Sequence, residues 1–175
     1  MAARRVCKYG EKILRKRTKP VNFSAQKDKL PGIIADMYET MSTAGGVGLS
    51  ANQIGLDLRL SVIKIARENE PEINLVLINP EIMSARGRQD GEEGCLSFPG
   101  LFARVRRFEN VKVRSLNKRG LPVEINARGF LARALQHEID HLDGMLFIDR
   151  MPLLTRLKLK PVLARLKRGW SKLTV

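Results

Sequence analysis

His137 and His141 stand four residues apart in the segment QHEIDHLDG, with Glu138 directly after the first histidine. On a helix, residues i and i+4 lie on one face, so both imidazole rings can reach one metal ion. The glutamate then lies beside the ion, where it can act as the general base of a metal-dependent hydrolase. Because the chain has only 2 histidines, this spacing favours a metal centre over a solvent-exposed helix face.

A catalytic metal site of this type needs a third protein ligand and an open position for water. The usual downstream positions do not supply that ligand: Phe147 occupies the third-histidine position of the HExxHxxGxxH pattern, and no glutamate follows Glu138. Asp143 and Asp149 remain candidates. Cys95, in the glycine-bearing segment EEGCLSFPG, is the strongest candidate, because a thiolate with two imidazoles suits zinc or ferrous iron.

Composition predicts one globular domain. The chain has 175 residues, of which 43% are hydrophobic and 29% charged, enough to bury its own core. No apolar segment approaches the roughly 20 residues of a membrane-spanning helix, and the N-terminus lacks the apolar segment of a secretory signal. We therefore expect a cytoplasmic protein of bacterial type, with Cys7 and Cys95 reduced, and a processed organellar form stays open.

A formal net charge of +14 is the second compositional feature. Basic residues are concentrated near both ends, and no acidic residue follows Arg150. Such segments are typical of a solvated surface or of a polyanionic partner such as RNA. Aromatic residues make up only 5% of the chain and are not interleaved with the basic segments, so contact with a nucleic-acid backbone is favoured over sequence recognition.

Periodicity predicts the elements that must position these residues. Apolar residues recur at helical spacing before the glycine-rich segment GGVGLSANQIG, and two alternating segments flank a Lys-Arg-Gly turn as an antiparallel hairpin. Irregular structure is expected from Gly87 to Gly100. The expected elements are a helix over 30–41, strands over 58–65 and 75–78, the hairpin NVKVRSLN and LPVEINA, the histidine helix over 130–143 stopped by Gly144, and a basic amphipathic helix over 161–170 with Val162, Leu163, Leu166 and Trp170 on its apolar stripe.

This order of elements predicts an α+β fold. Strands and hairpins precede the helices without regular βαβ alternation, which favours antiparallel sheets. We expect these sheets to pack around a central helix that carries the HExxH motif. The whole chain, 1–175, is expected to form a single catalytic domain, with the C-terminal helix as an appendage.

Three segments occur in the order GVGLSANQIG, EGCLS and QHEIDHLDG, and together they closely resemble peptide deformylases. These metalloenzymes remove the formyl group from the N-terminal formylmethionine of new bacterial and organellar proteins. The resemblance covers most of the chain, from about YGEKILRKRTKPV to LFIDRM. It departs at Ser50 and Asn52, where the family commonly has alanine and proline, and losing the proline removes one constraint on the loop backbone.

The resemblance implies a role for each matching residue. It implies one divalent metal ion per chain, ferrous iron in cells, with zinc, nickel or cobalt as substitutes. The oxyanion contacts fall to the side-chain amide of Gln53 and the backbone N–H of Leu96. The implied metal ligands are Cys95, His137 and His141, with Glu138 as the acid/base residue.

The resemblance also implies a substrate site for formylmethionyl nascent peptides. Backbone groups around Gly46, Val47, Gly48 and Gly94 would hold the substrate as a short extended strand. Arg133 would line the wall with its aliphatic stem while its charge faces water. The implied methionine pocket consists of Phe130, Arg133, Ala134 and His137.

Two other functions remain open on the residues alone. A metallopeptidase would cut internal peptide bonds and yield peptide fragments instead of formate. A basic ribosome- or RNA-binding module with a structural or lapsed metal site would bind RNA in a salt-sensitive way without releasing formate. Some bacterial deformylases contact the ribosome through a C-terminal helix, so Arg165, Lys167 and Arg168 are candidates for docking near the exit tunnel.

Overall fold

Strands and helices alternate irregularly along the computed structural model, which describes residues 2–67 and 70–171. Three short 3₁₀ turns lie at Lys12–Arg15, Ala51–Ile54 and Phe147–Arg150. The regular elements are helices α1 (Phe23–Gln26), α2 (Leu30–Thr43), α3 (Gly129–Leu142) and α4 (Leu153–Ser171), and strands β1 (Gly48–Ser50), β2 (Leu60–Arg67), β3 (Glu70–Arg86), β4 (Gln89–Gly94), β5 (Phe102–Arg107), β6 (Asn110–Leu116) and β7 (Pro122–Arg128).

The strands form two antiparallel sheets. The larger sheet has the order β1-β2-β3-β6-β7, and β4 pairs with β5 in a separate two-stranded sheet. The predicted hairpin is confirmed as β6–β7, in which Val111 faces Ala127 and Val113 faces Ile125. Alternation directs Val111 and Val113 into the core, where both are buried.

Helix α3 lies against the larger sheet, as the sequence predicts. Ala132, Leu135 and Ile139 share a buried cluster with Ile63 and other sheet residues. The helix ends where expected, because Gly144 adopts a left-handed conformation with φ +73° and its N–H donates to the His141 carbonyl. A side chain at Gly144 would also overlap the Arg15 backbone at 2.6 Å. The α+β fold with a central HExxH helix is confirmed.

The segment predicted to be irregular, from Gly87 to Gly100, instead contains strand β4, which pairs with β5. The sequence of β4, QDGEEG, lacks the apolar alternation that identifies a half-buried strand. Its inward-facing residue is the buried carboxylate Glu93, which is neutralised by arginines rather than packed by apolar groups. Strand β3 is likewise longer than the predicted 75–78.

The C-terminal helix begins at Leu153 rather than near Pro161, which lies inside it. Leu163 is buried against the N-terminal part of the chain, with Leu159 and Leu166 packed around it. Val162 is exposed and does not belong to the buried stripe, and the Trp170 side chain lies outside the described residues. Within the described ranges, no helix combines the length and apolar character needed to cross a bilayer.

Candidate metal centre and active site

Three side chains with metal-binding atoms meet beside one cleft. Helix α3 presents His137 and His141 on one face, and the loop after β4 presents Cys95. The Cys95 Sγ atom lies 3.2 Å from His141 Nε2, and one donor atom from each residue lies within 4.8 Å of the others. The structure therefore brings the two histidines together with the upstream cysteine.

The Glu93 carboxylate orients His137. Its Oε2 atom lies 3.0 Å from His137 Nδ1, which leaves Nε2 as the ring nitrogen available to a metal. Burial opposes the charge of Glu93, but hydrogen bonds from Arg107 and His137 hold its pKa far below the usual range. Sequence reasoning missed Glu93; its one signal is a carboxylate two residues before a candidate ligand.

The donor set fits a divalent cation. Burial lowers the pKa of His137, but the hydrogen bonds that its ring donates to Cys95 and Glu93 outweigh burial and raise the pKa to about 10. The surroundings of this ring therefore favour a positive charge. One thiolate and two imidazoles are the ligands that zinc and ferrous iron accept, and three protein ligands leave room for water.

The other candidate ligands have different partners. Asp143 is bonded to Arg59, with its Oδ1 atom 2.7 Å from Nη1, and Asp149 pairs with Arg15. Phe147 is buried and packs edge-to-face on Phe98, with ring centroids 5.1 Å apart. Phe147, in the third-histidine position, is therefore part of the hydrophobic core.

Glu138 lies next to the ligands but outside their group. Its carboxylate is buried, and Oε2 accepts a hydrogen bond of 2.6 Å from the Ser50 hydroxyl. Burial raises the pKa of Glu138, while the charge of His137 and the Ser50 hydroxyl lower it. A carboxylate of raised pKa beside a metal site is suited to moving protons near neutral pH.

Gln53 and Leu96 lie next to Cys95. The Ser50 N–H donates to Gln53 Oε1 at 2.9 Å, which turns the Gln53 amide nitrogen towards Cys95 Sγ at 3.5 Å and Ser97 Oγ at 3.2 Å. Within the described part of the chain, the Leu96 N–H donates no backbone hydrogen bond. Two neutral donors therefore lie beside the candidate ligand Cys95.

One cleft of about 510 Å³ connects these groups. Its walls carry the free edges of β1 and β4, the outer strands of the two sheets in the described part of the chain. His141, only 1% exposed, lies behind the wall. The predicted site residues that line the cleft are Gly46, Val47, Gly48, Gln53, Gly94, Cys95, Leu96, Phe130, Arg133, Ala134, His137 and Glu138.

Comparison with known families shows the family to which the chain belongs. Residues 3–157, nearly all of the chain, match the family model described as polypeptide deformylase. The chain belongs to the peptide deformylase family. Family members are metal-dependent hydrolases that deformylate nascent peptides, which selects this activity among the three that the residues alone left open.

Curated relatives and solved structures agree with the deformylase assignment over the whole chain. The peptide deformylase of Elusimicrobium minutum is 48% identical over 98% of this chain and 100% of its own length. A Legionella pneumophila peptide deformylase is 44% identical, covers 97% of this chain and 98% of its own, and superposes with a TM-score of 0.84. A peptide deformylase of Arabidopsis thaliana in complex with an inhibitor reaches 0.89 at 33% identity, with 99% and 94% covered.

One expectation about the deformylase pocket was wrong. The charge of Arg133 does not face water: the side chain is buried, and Nη1 donates to Glu93 at 2.8 Å and to the Val105 carbonyl at 3.0 Å. The buried carboxylate of Glu93 is stabilised by a nearby positive charge, so the guanidinium lies beside Glu93 instead of in solvent. Arg133 therefore lines the cleft as part of an ion network.

Both departures from the common deformylase motif contact helix α3. Ser50 bonds to Glu138, and the buried Asn52 donates from Nδ2 to the His141 carbonyl at 2.5 Å. Sequence reasoning noted both residues as substitutions without predicting these contacts. The constraint lost with the proline is replaced here by a hydrogen bond between the loop and the ligand helix.

Proposed function

We propose that this chain deformylates formylmethionyl peptides with Glu138 as the acid/base residue at a metal ion held by Cys95, His137 and His141. One observation carries the assignment: donor atoms of the three ligands lie within 4.8 Å of one another, whereas Glu138 stays outside their group. Its carboxylate still lines the same cleft. Helix α3 thus supplies two of the proposed ligands and the proposed acid/base residue, and the loop after β4 supplies the third ligand.

Proton transfer falls to Glu138. A divalent metal ion held by Cys95, His137 and His141 would lower the pKa of a water molecule, which would supply a nucleophile near neutral pH. Glu138 accepts the proton of the attacking water and delivers it to the departing amine, so one carboxylate serves both transfers. Burial raises the pKa of Glu138, which favours the protonated form that must deliver the proton in the second transfer.

Charge develops on the formyl oxygen as its carbon becomes tetrahedral, and we assign its stabilisation to Gln53 and Leu96. The amide of Gln53 donates without adding charge to the site. Its direction is held before the reaction by the Ser50 N–H. One such donor typically contributes about 3 kcal/mol, roughly a hundredfold in rate.

The free edges of β1 and β4 are the proposed substrate-binding surfaces. An extended peptide between them would hydrogen-bond to backbone groups near Val47 and Gly94, as a strand added to a sheet edge does. Its first side chain would enter the pocket formed by Phe130, Ala134 and the stem of Arg133. These surfaces recognise backbone shape, which suits an enzyme that must accept many nascent chains.

Ferrous iron is the proposed metal, with zinc, nickel and cobalt as substitutes. The thiolate and imidazole donors accept all four ions, so the choice rests on the family resemblance. The test is anaerobic purification with metal analysis, followed by formate detection with matched formylated and unformylated methionyl peptides. We expect one ion per chain and formate from the formylated peptide only.

Substitution of Glu138 by glutamine tests the acid/base role. Glu138→Gln should keep the metal and lose turnover by a factor of about 10²–10⁴. The matched control is Glu81→Gln, which removes an exposed carboxylate of β3 paired with Arg114 and should leave formate release unchanged. Near-normal formate release by Glu138→Gln removes this residue from its role, and peptide fragments in place of formate support a metallopeptidase.

We further propose that α4 docks on ribosomal RNA near the exit of the nascent chain, in the cytoplasm. Arg165, Lys167 and Arg168 are exposed, while Leu163 faces the core, so the helix presents a basic surface held on an apolar one. Backbone phosphates are the ligands such a surface attracts. An enzyme docked there would lie close to the emerging N-terminus of the nascent chain, which is its proposed substrate.

Charge substitution tests docking better than truncation, because removing α4 would expose the core around Leu163. The variant Arg165→Gln, Lys167→Gln, Arg168→Gln should cosediment with ribosomes less strongly and with a weaker salt dependence. The matched control is the triple substitution Lys27→Gln, Lys118→Gln, Arg119→Gln, which removes the same charge elsewhere. Equal cosedimentation of both variants contradicts docking through α4.

A further inference from the structure

Ser50 makes a direct contact with the proposed acid/base residue that the mechanism above does not use. Its hydroxyl lies 2.6 Å from Glu138 Oε2, and neither side chain is open to solvent: Ser50 is 0% exposed and Glu138 4%. A hydroxyl carries one proton, and a carboxylate oxygen at this distance is its strongest acceptor. The hydroxyl also lies 3.0 Å from the Glu138 backbone carbonyl, but its shorter contact is to the carboxylate, so Ser50 donates to Oε2.

A second serine stands behind the first. Ser61 of β2 is the register partner of Ser50, and the two hydroxyl oxygens lie 3.0 Å apart. Since the Ser50 proton is directed to Glu138, Ser61 is the donor in this pair. The two hydroxyls form a buried chain that ends on one carboxylate oxygen, and each bond polarises the next.

The other oxygen of Glu138 lies beside Gly48. Oε1 lies against Gly48, so closely that a Cβ atom at Gly48 would overlap it, and both residues line the cleft. The two carboxylate oxygens thus have different surroundings. Oε2 faces the buried serines, whereas Oε1 lies beside Gly48 at the cleft wall.

We propose that Ser50, supported by Ser61, is a positioning residue that holds Glu138 Oε2 and so directs Oε1 towards the water and the departing amine. This inference rests on the proposed role of Glu138. Ser50 touches no reacting atom; it acts through the glutamate by restricting rotation of the carboxylate. Since the family commonly has alanine here, the restraint improves a reaction that proceeds without it.

Kinetics of Ser50→Ala test this role. We expect kcat to fall about tenfold while KM and metal content stay unchanged, because the substrate edges and the ligands are untouched. Ser50→Thr, which restores a hydroxyl, should recover most of the loss. In crystals of Ser50→Ala, the Glu138 carboxylate should occupy more than one orientation, a readout independent of turnover.

Ser115→Ala is the matched control. Ser115 is a buried serine of β6 whose hydroxyl donates to the Ile78 carbonyl, away from the cleft. The Ser115→Ala substitution should lower thermal stability, because it removes a buried hydrogen bond, and should leave kcat unchanged. An equal fall of kcat in both variants would mean that general destabilisation, and not positioning, causes the loss.

A double substitution separates this inference from the proposed function. If Ser50 acts through Glu138, then Ser50→Ala combined with Glu138→Gln should release formate no more slowly than Glu138→Gln alone. A further tenfold loss in the double variant, or an unchanged kcat in Ser50→Ala, overturns the positioning role. Normal turnover of Glu138→Gln alone would instead overturn the proposed function.

Discussion

Glu93 Oε2 lies 3.0 Å from Nδ1 of His137, and the same carboxylate is held by Arg107 and Arg133. Arg107 also bonds to Asp140 on the ligand helix. The proposed metal ligand His137 is therefore the end of a buried network of charges that joins β4, β5 and α3. Such a network fixes the ring and raises its basicity before any ion arrives.

Substitution of Glu93 should weaken the metal site. In Glu93→Gln the amide no longer neutralises two arginines or favours the His137 tautomer that presents Nε2, so we expect metal affinity to fall about 10–100-fold. Competition with a chromophoric chelator measures this change. Asp90→Asn is the control, since Asp90 lies on the same strand but pairs with the exposed Arg106; equal affinities of the two variants would contradict the role of Glu93.

The predictable part of this site is the part encoded by spacing. The i, i+4 interval of His137 and His141 and the apolar period of α3 could be read directly, because a helix converts sequence intervals into faces. Glu93 could not be found in this way. It lies on a polar strand whose burial depends on arginines 14 and 40 residues away, and no local pattern expresses that dependence.

The same limit applies to Ser50 and Asn52. Comparison with the family motif shows that both residues differ from the common ones. Their contacts become visible only in the structure, where β1 and the following turn pack on α3. The hairpin β6–β7, by contrast, was predictable because turn and alternation agree over neighbouring residues. Long-range polar contacts are the features that sequence reasoning missed.

The two cysteines should differ in reactivity. Burial, with the nearby Glu11 carboxylate, raises the pKa of Cys7 to about 11, so at pH 8 only about one molecule in a thousand carries the reactive thiolate. Cys95 lies in the cleft and should be alkylated once the metal is removed. Iodoacetamide labelling and mass spectrometry of metal-free protein should find Cys95 modified and Cys7 intact.

Two controls define that labelling experiment. In guanidinium chloride both thiols should react, since burial no longer protects Cys7. With metal bound, Cys95 should be protected. Equal labelling of Cys7 and Cys95 in the folded, metal-free protein would show that the environment of Cys7 is not as described.

Asn52 should stabilise the loop on the ligand helix. Asn52→Ala removes the donor to the buried His141 carbonyl and leaves that acceptor unsatisfied, which costs about 1–3 kcal/mol of unfolding free energy. Asn52→Pro should lose less, because the ring restricts the unfolded chain. Guanidinium unfolding measures both, with Asn74→Ala, which loses only an exposed contact to Glu72, as control. A loss of equal size in the control would contradict this role.

Gly48 should be required because of the space it leaves for the acid/base residue. Its backbone is not in the left-handed region, so alanine is tolerated by the chain itself, but the added Cβ would overlap Glu138 Oε1. Gly48→Ala should therefore displace the carboxylate and lower kcat by at least tenfold, while the metal is retained. Formate release and metal analysis measure these two effects.

Gly32→Ala in α2 is the control. A Cβ there meets nothing within 4 Å, so this variant should gain about 0.5–1 kcal/mol of stability and keep full activity. Unchanged kcat in Gly48→Ala would contradict the requirement for the Glu138 carboxylate in its present orientation.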